Sequence, residues 1–213
     1  MAATHFHPRS HATFESGAAA PVAGHEESTA TTAGQGDVEV VRSSAARTSL
    51  AVLRIAFGFT FLWAFFDKLL ALGYSTGRAE DGSVDRFGDA AWIHGGSPTK
   101  GFLAFGADGP FKGFYDDIAG AAWADWLFMA GLLGIGLALT LGVGMRIAAI
   151  AGAALYVLMW SVVLPPANNP LIDEHILGAL TVVALALTNA GNTWGLGKVW
   201  GRTALVGRFN WLG

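Results

Sequence analysis

An apolar run extends from Trp126 to Leu164 and contains a single charged residue, Arg146. As one helix, these 39 residues would form a rod of about 58 Å, because an α-helix rises about 1.5 Å per residue. The hydrocarbon core of a bilayer is about 30 Å thick and needs roughly 20 residues to cross. The run therefore fits two crossings, and the two glycines in Gly142–Arg146 place the turn between them.

Two further apolar segments flank this hairpin. The sequence predicts membrane spans at about residues 50–72, 126–143, 146–164 and 171–190. Hydrophobic residues make up 53% of the chain and charged residues only 14%, against about 25% charged in an average soluble domain. The predicted fold is all-α: an integral membrane four-helix bundle in which each span satisfies its own backbone hydrogen bonds.

The remaining segments divide the chain around this four-span domain, which covers residues 48–198. Residues 1–47 lack an apolar period and are predicted to be a disordered tail. Residues 73–125 form a long polar loop with two short helices, one starting at Ser97 and Pro98 and one after Pro110. Residues 199–213 combine tryptophan and arginine as an interfacial segment does.

Charge asymmetry predicts the orientation in a cell membrane. Seven bases and no acid collect on one side of the spans: Arg42, Arg47, Arg54, Arg146, Lys198, Arg202 and Arg208. The 73–125 loop on the other side carries eight acids and four bases. By the positive-inside rule, both termini are cytoplasmic and the loop is extracytoplasmic. We expect membrane lipids as partners of the chain, and we do not expect it to bind nucleic acid.

Small residues recur every fourth position in the second span, at Ala130, Gly134 and Ala138. Such a face lets transmembrane backbones approach closely. We therefore expect this face to pack against another span.

The polar residues at membrane depth gather at the outer ends of the spans. Asp67 and Lys68 lie near the end of the first span, and Asp173 and His175 open the fourth. His175 can exchange protons near neutral pH, with Asp173 or Asp67 orienting it. The simpler interpretation is that Asp173 caps a helix and that Asp67 and Lys68, like Arg54 at the other end of the first span, reach toward the interface.

An oxyanion site is the second chemical possibility at this end. Ser97 at a helix start, with Lys100 nearby, can hold a small anion, and Lys68 is a further cation; the alternative is an ordinary loop. The candidate catalytic residues are thus His175, Asp173 and Asp67, and the candidate substrate-binding residues are Lys68, Ser97, Lys100 and Asn169. The hypothesis places His175, Asp173, Asp67 and Lys68 in one pocket beneath the loop.

The chain contains no cysteine. Disulfides, thiol redox chemistry and cysteine-ligated iron–sulfur or zinc centres are therefore excluded within it. The spans also lack a histidine pair for haem, and we expect no metal site. No ionisable residue lies at the centre of a span, which argues against a pump or a carrier of charged solutes.

Several motifs resemble the DoxX family of membrane proteins across about residues 48–200. The first span carries Leu53-Arg54-Ile55, Phe61-Leu62-Trp63 and Asp67-Lys68-Leu69, and the hairpin carries Gly136-Leu-Ala-Leu-Thr-Leu-Gly142 before Arg146-Ile-Ala-Ala149. The last span is entered through Asn169-Pro-Leu-Ile-Asp-Glu-His175 and left through Thr188-Asn-Ala-Gly-Asn-Thr-Trp-Gly-Leu-Gly197. The loop segment Trp92–Phe102 is most similar to the DoxD branch.

The resemblance implies a membrane subunit of thiosulfate:quinone oxidoreductase, which passes electrons from thiosulfate to a membrane quinone. Quinone is then the implied cofactor and a second subunit the implied protein partner. The chain departs from the family at Leu132, where many members carry an acid. Two alternatives remain: a non-catalytic membrane anchor or assembly partner of an oxidoreductase, and a transporter of a small solute.

Overall fold

The computed structural model describes residues 40–167 and 169–212, and within these ranges the regular elements are helices. The α-helices are α1 (Ser44–Leu70), α2 (Lys100–Gly106), α3 (Lys112–Ile118), α4 (Ala122–Leu141), α5 (Met145–Val162), α6 (Glu174–Leu187), α7 (Gly197–Gly201) and α8 (Ala204–Arg208). Single 3-10 turns occur at Trp92–His94, Ala190–Asn192 and Asn210–Leu212. The part of the expected tail before residue 40 lies outside the described residues, whereas α1 already begins at Ser44.

Three of these helices, α1, α4 and α5, are long and apolar enough to cross a membrane. Their 27, 20 and 18 residues correspond to about 40, 30 and 27 Å. The fourth apolar helix, α6, has only 14 residues, about 21 Å, so the fourth crossing remains a prediction. Large apolar side chains point outward along these helices, for example Phe59 at 60% exposure, Ile150 at 67% and Leu180 at 62%. An apolar exterior of this kind is what lipid contact requires.

The long helices pack in two pairs, α1 on α4 and α5 on α6, and α4 joins the pairs through its contact with α5. We call the end of the bundle where α1 ends and α4 begins the loop end, and the end with the α4–α5 turn the turn end. The turn itself lies where the glycines predict it: Gly142 has φ 72° and Gly144 has φ 60°, values that a side chain disfavours.

The close approach of α1 and α4 depends on Gly58 and Gly136. A Cβ atom at Gly136 would lie 2.8 Å from Leu62 Cγ, and one at Gly58 would lie 2.7 Å from the Thr140 backbone nitrogen. The predicted small-residue face is only partly confirmed. Ala138 packs against the hydrophobic core, but Ala130 and Gly134 are exposed and a Cβ at Gly134 meets no atom within 4 Å. The four-residue spacing also leaves out Gly136, where α4 packs closely against Leu62 of α1.

The hydrophobic core lies between these helices. Its buried members are Phe61, Phe65, Met129, Leu132, Ile135, Leu139, Ala148 and Val182. Leu132 is 4% exposed within this core. The core therefore separates the polar groups of the loop end from those of the turn end.

Candidate functional site

A cavity of about 570 Å³ lies at the loop end, between the ends of the long helices and the 73–121 segment. Its wall contains one residue from each of the three helices long enough to cross a membrane, namely Lys68 of α1, Phe128 of α4 and Met159 of α5. The remainder comes from the loop and from α2, including Ser75, Thr76, Gly77, Ala90, Gly96, Ser97, Pro98, Lys100, Gly101, Phe102 and Phe105. Three predicted substrate-binding residues, Lys68, Ser97 and Lys100, thus share one cavity, although α2 starts at Lys100 rather than at Ser97.

The lining of the cavity contains two kinds of side chain. Lys68, Lys100 and three hydroxyl residues are polar, whereas Phe102, Phe105, Phe128 and Met159 are apolar. Within the described part of the chain, neither lysine forms an ion pair with a carboxylate. Lys68 Nζ instead donates a hydrogen bond to Ser75 Oγ over 3.2 Å. Among the described residues of the lining, positive charge thus comes from Lys68, which is half-buried beside Asp67, and from Lys100, which is exposed.

Asp67 holds the first loop segment of the cavity in place. This carboxylate is 1% exposed and accepts backbone N–H bonds from Tyr74 at 3.1 Å, Ser75 at 3.0 Å and Thr76 at 3.0 Å. The Ser75 hydroxyl donates a fourth bond, of 2.7 Å. A buried carboxylate with this many donors does not need a cationic partner. Asp67 is therefore an anchor for residues 74–76, and it is absent from the cavity lining.

Asp125 holds the second segment, and sequence reasoning missed it. It lies in the first turn of α4, is 7% exposed, and its Oδ1 accepts bonds from the Ser97 hydroxyl at 2.9 Å and from the Thr99 backbone N–H at 3.1 Å. The Thr99 hydroxyl donates a third bond, of 2.6 Å. Asp125 is seven residues, or about two helical turns, before Leu132. Its signal in the sequence was an isolated acid immediately before an apolar run.

These two anchors also determine which groups can serve a ligand. The Ser75 and Ser97 hydroxyls each donate their only proton to a carboxylate, Asp67 and Asp125 respectively. Ser97 Oγ additionally accepts the Lys100 backbone N–H at 3.1 Å. A hydroxyl has a single proton to give, so neither serine can donate to an anion in this arrangement. The predicted role of Ser97 thus shifts from binding an anion to shaping the wall beside Lys100.

Asp173 and His175 form a separate pair at the start of α6. Asp173 Oδ2 lies 2.7 Å from His175 Nδ1, and the two side chains are 9% and 12% exposed. Asp173 Oδ1 caps α6 by accepting the His175 and Ile176 backbone N–H groups at 3.0 and 3.1 Å. The capping interpretation and the His–Asp interpretation therefore hold together, with one oxygen for each. The orienting partner of His175 is Asp173 and not Asp67.

The surroundings of this pair are aromatic. The ring of Tyr156 in α5 meets the His175 imidazole edge-on, with centroids 6.4 Å apart, and it also packs against Phe57 and Phe61 of α1. The ring fits because α6 has a glycine opposite it: a Cβ at Gly178 would lie 2.7 Å from the ring. The cavity lining does not include Asp173 or His175, although Tyr156 lies one turn before Met159 of the cavity.

The other predicted residue, Asn169, also serves the entry to α6. Its Oδ1 accepts the backbone N–H groups of Leu171 at 2.9 Å and Ile172 at 3.0 Å. Asp173, Glu174 and His175 have potential ligand atoms within 4.8 Å of one another. Because both Asp173 oxygens already accept hydrogen bonds and Glu174 is exposed, we assign no metal to this group.

Arg54 was expected to extend toward the interface, but it is fully buried. Its Nη1 donates to the carbonyls of Leu139 and Thr140, and its Nη2 donates to those of Thr193 at 3.2 Å and Trp194 at 3.0 Å. The last carbonyls of a helix lack intrahelical donors and carry partial negative charge. Arg54 therefore binds the end of α4 and the segment after α6 together at the turn end.

Comparison with known proteins adds no relative: no family model, no curated protein and no solved structure matches this chain. The resemblance to the DoxX family therefore depends on the quoted residues alone. What the geometry adds is a helical protein with three apolar helices long enough to cross a membrane and, at one end of them, a cavity lined by both polar and apolar side chains.

Proposed function

We propose that this chain is the membrane subunit of a quinone-linked oxidoreductase that takes electrons from thiosulfate. The observation that supports the proposal is the loop-end cavity, whose lining combines two lysines with aromatic and thioether side chains. These two kinds of side chain suit the two reactants, a small oxyanion and a flat apolar ring. The resemblance to the DoxD branch supports the same pair of reactants.

The apolar side chains of the cavity lining are suited to packing against a quinone ring. Aromatic side chains bind flat rings by offset or edge-on packing, and a methionine sulfur contacts rings favourably. Phe128 and Met159 belong to helices long enough to cross the bilayer. Residues on such helices are accessible to a lipid-soluble quinone moving within the membrane.

The two lysines of the cavity lining are suited to binding thiosulfate. Oxyanions are bound by charge-assisted hydrogen bonds from ammonium groups, which are about twice as strong as neutral ones. Because the serine protons are directed at Asp67 and Asp125, recognition in this cavity depends on Lys68 and Lys100. The side chain of Thr76, also in the lining, is the remaining hydroxyl.

The redox step balances with these two reactants. Two thiosulfate ions become joined by a new sulfur–sulfur bond and release two electrons. One quinone takes up those two electrons with two protons and becomes a quinol. His175, whose Nδ1 is held by Asp173, lies outside the cavity lining, and we propose it as the side chain that passes protons from water toward the quinol.

The route of the electrons bears on the subunit composition. A chain without cysteine has no thiol or iron–sulfur carrier of its own, so electrons pass directly between bound reactants or through a partner subunit. The second possibility corresponds to the role of a membrane anchor for a catalytic partner. One assay distinguishes direct electron transfer within this chain from transfer through a partner subunit.

The test is thiosulfate-dependent reduction of a short-chain quinone by the purified chain, alone and with the proteins that co-purify with it. Lys68→Gln and Lys100→Gln should each raise the KM for thiosulfate by about tenfold or more, since a hydrogen bond to a charged group contributes about 1.5–3 kcal/mol. Arg42→Gln, which removes an exposed cation outside the cavity lining, is the matched control. Activity only in the presence of a co-purified protein would indicate the anchor role, and no activity in either preparation would refute the proposal.

A further inference from the structure

The segment after α6 collects positive charge and exposed apolar side chains at the turn end. Residues 194–212 contain three bases, Lys198, Arg202 and Arg208, and no acid. Six large apolar residues of this segment are 43–64% exposed: Trp194, Leu196, Val199, Leu205, Phe209 and Trp211. Cations interleaved with exposed tryptophan, leucine and phenylalanine are typical of segments that lie in a membrane interface.

This segment is fixed to the bundle rather than trailing from it. Arg54 binds the carbonyls of Thr193 and Trp194 at its start, and the Leu196 N–H donates to the Leu141 carbonyl at the end of α4 over 2.8 Å. Further along, the side chain of Val206 is buried. The bases and apolar side chains therefore occupy a set position at the ends of the membrane-crossing helices.

The far end of the segment is fastened as well. Trp200 Nε1 donates to the Leu212 carbonyl over 2.9 Å, which closes α7, α8 and the last 3-10 turn into one unit, and Leu212 is 7% exposed. Thr203 caps α8 by accepting the Val206 N–H. Arg208 lies over the ring of Phe209, 5.7 Å from its centroid, so cation and aromatic ring are presented together.

We propose that residues 194–212 bind anionic phospholipid headgroups, with Lys198, Arg202 and Arg208 on the phosphates and the exposed apolar side chains among the upper acyl carbons. Position favours this occupant, because the ends of membrane-crossing helices are where headgroups lie. Charge favours an anionic lipid over a zwitterionic one, because three bases face it with no acid in the segment. This proposal is independent of the redox function.

The experiment uses the full-length chain in an uncharged detergent. Its melting temperature is titrated with phosphatidylglycerol or with phosphatidylcholine, and an apparent Kd is obtained from the stabilisation. Phosphatidylglycerol should bind more tightly, and high salt should weaken its binding. The triple variant Lys198→Gln, Arg202→Gln, Arg208→Gln should raise the Kd for phosphatidylglycerol by about a hundredfold, since each base near an anionic surface contributes roughly fivefold.

A charge-conserving triple variant, Lys198→Arg, Arg202→Lys, Arg208→Lys, is the matched control. It should keep the affinity for phosphatidylglycerol, while both variants keep the helical circular dichroism spectrum and the elution volume of the parent. Equal affinity of the parent for the two lipids would overturn the proposal. A glutamine variant that binds phosphatidylglycerol as well as the control does would also overturn it. So would a glutamine variant whose only change is that an acidic protein no longer co-purifies with it.

Discussion

Removing the Asp125 carboxylate should release one wall of the loop-end cavity. In Asp125→Ala, the Ser97 hydroxyl and both donors of Thr99 lose their acceptor. Ser97 is half-buried and can turn to water, but Thr99 is 6% exposed, so its N–H and hydroxyl are left without a partner. A buried donor left unsatisfied costs about 1–3 kcal/mol, and two of them predict a loss of about 3 kcal/mol.

That loss is large enough to measure. In a protein of this size, each kcal/mol corresponds to roughly 2–4 °C in Tm, so Asp125→Ala should melt about 6–12 °C below the parent in detergent. Asp125→Asn keeps one acceptor oxygen and should lose about a third of that amount. Asp108→Ala is the control, because Asp108 is exposed and such a surface change alters stability by about 0.5 kcal/mol or less.

A second readout reports on the wall itself. Trypsin cuts after lysine, and Lys100 follows directly after the anchored Thr99, so Asp125→Ala should be cleaved at Lys100 faster than the parent or Asp108→Ala. The reasoning would be refuted by an Asp125→Ala protein that melts within about 2 °C of the parent and is cleaved at an unchanged rate. In that case the three hydrogen bonds to Asp125 do not fix the segment.

Three other predictions test the helix packing and the orientation. Gly136→Leu should lower the Tm strongly, because a Cβ there already lies 2.8 Å from a neighbouring side chain, whereas Gly134→Leu should leave the Tm unchanged because no atom lies within 4 Å; equal Tm values would contradict this packing. Arg54→Met should destabilise the bundle by about 3 kcal/mol or more, since four carbonyls lose their donor. A Tm equal to that of the parent would contradict the proposal that Arg54 acts as a clamp between the end of α4 and the segment after α6. Cysteines introduced at Ser83 and Ser43 should react oppositely with a membrane-impermeant thiol reagent in intact cells, and equal labelling would refute the predicted topology.

The long helices could be predicted from the sequence because apolar run length is a local property. Partners in a buried polar contact are not local. The acceptors of Arg54 lie 85 to 140 residues further along the chain, and no residue near Arg54 in the sequence indicates which carbonyls they are. An arginine near a span end was therefore expected to extend to the interface, and it forms a buried clamp instead.

In the candidate site, too, local features could be predicted from the sequence and long-range contacts could not. Lys68 and Lys100 were predicted from charge near a span end and a helix start, and both line the cavity. Asp125 was missed because the apolar run was counted from Trp126, whereas α4 begins at Ala122 and includes the acid in its first turn. The small-residue face was only partly right for a related reason: a four-residue spacing defines a face of α4 but does not say which neighbour that face meets.

The clamp made by Arg54 has a consequence for the synthesis of the protein in the membrane. Arg54 leaves the ribosome with α1, while two of its four acceptor carbonyls belong to residues 139 and 140 positions later. At about 5–20 residues per second, those residues follow roughly 7–28 s after it. During that interval a guanidinium without its carbonyls is costly in hydrocarbon. If α1 crosses a membrane, we therefore expect it to stay at the insertion machinery or near the headgroups and to reach its final depth only when the segment after α6 has been made.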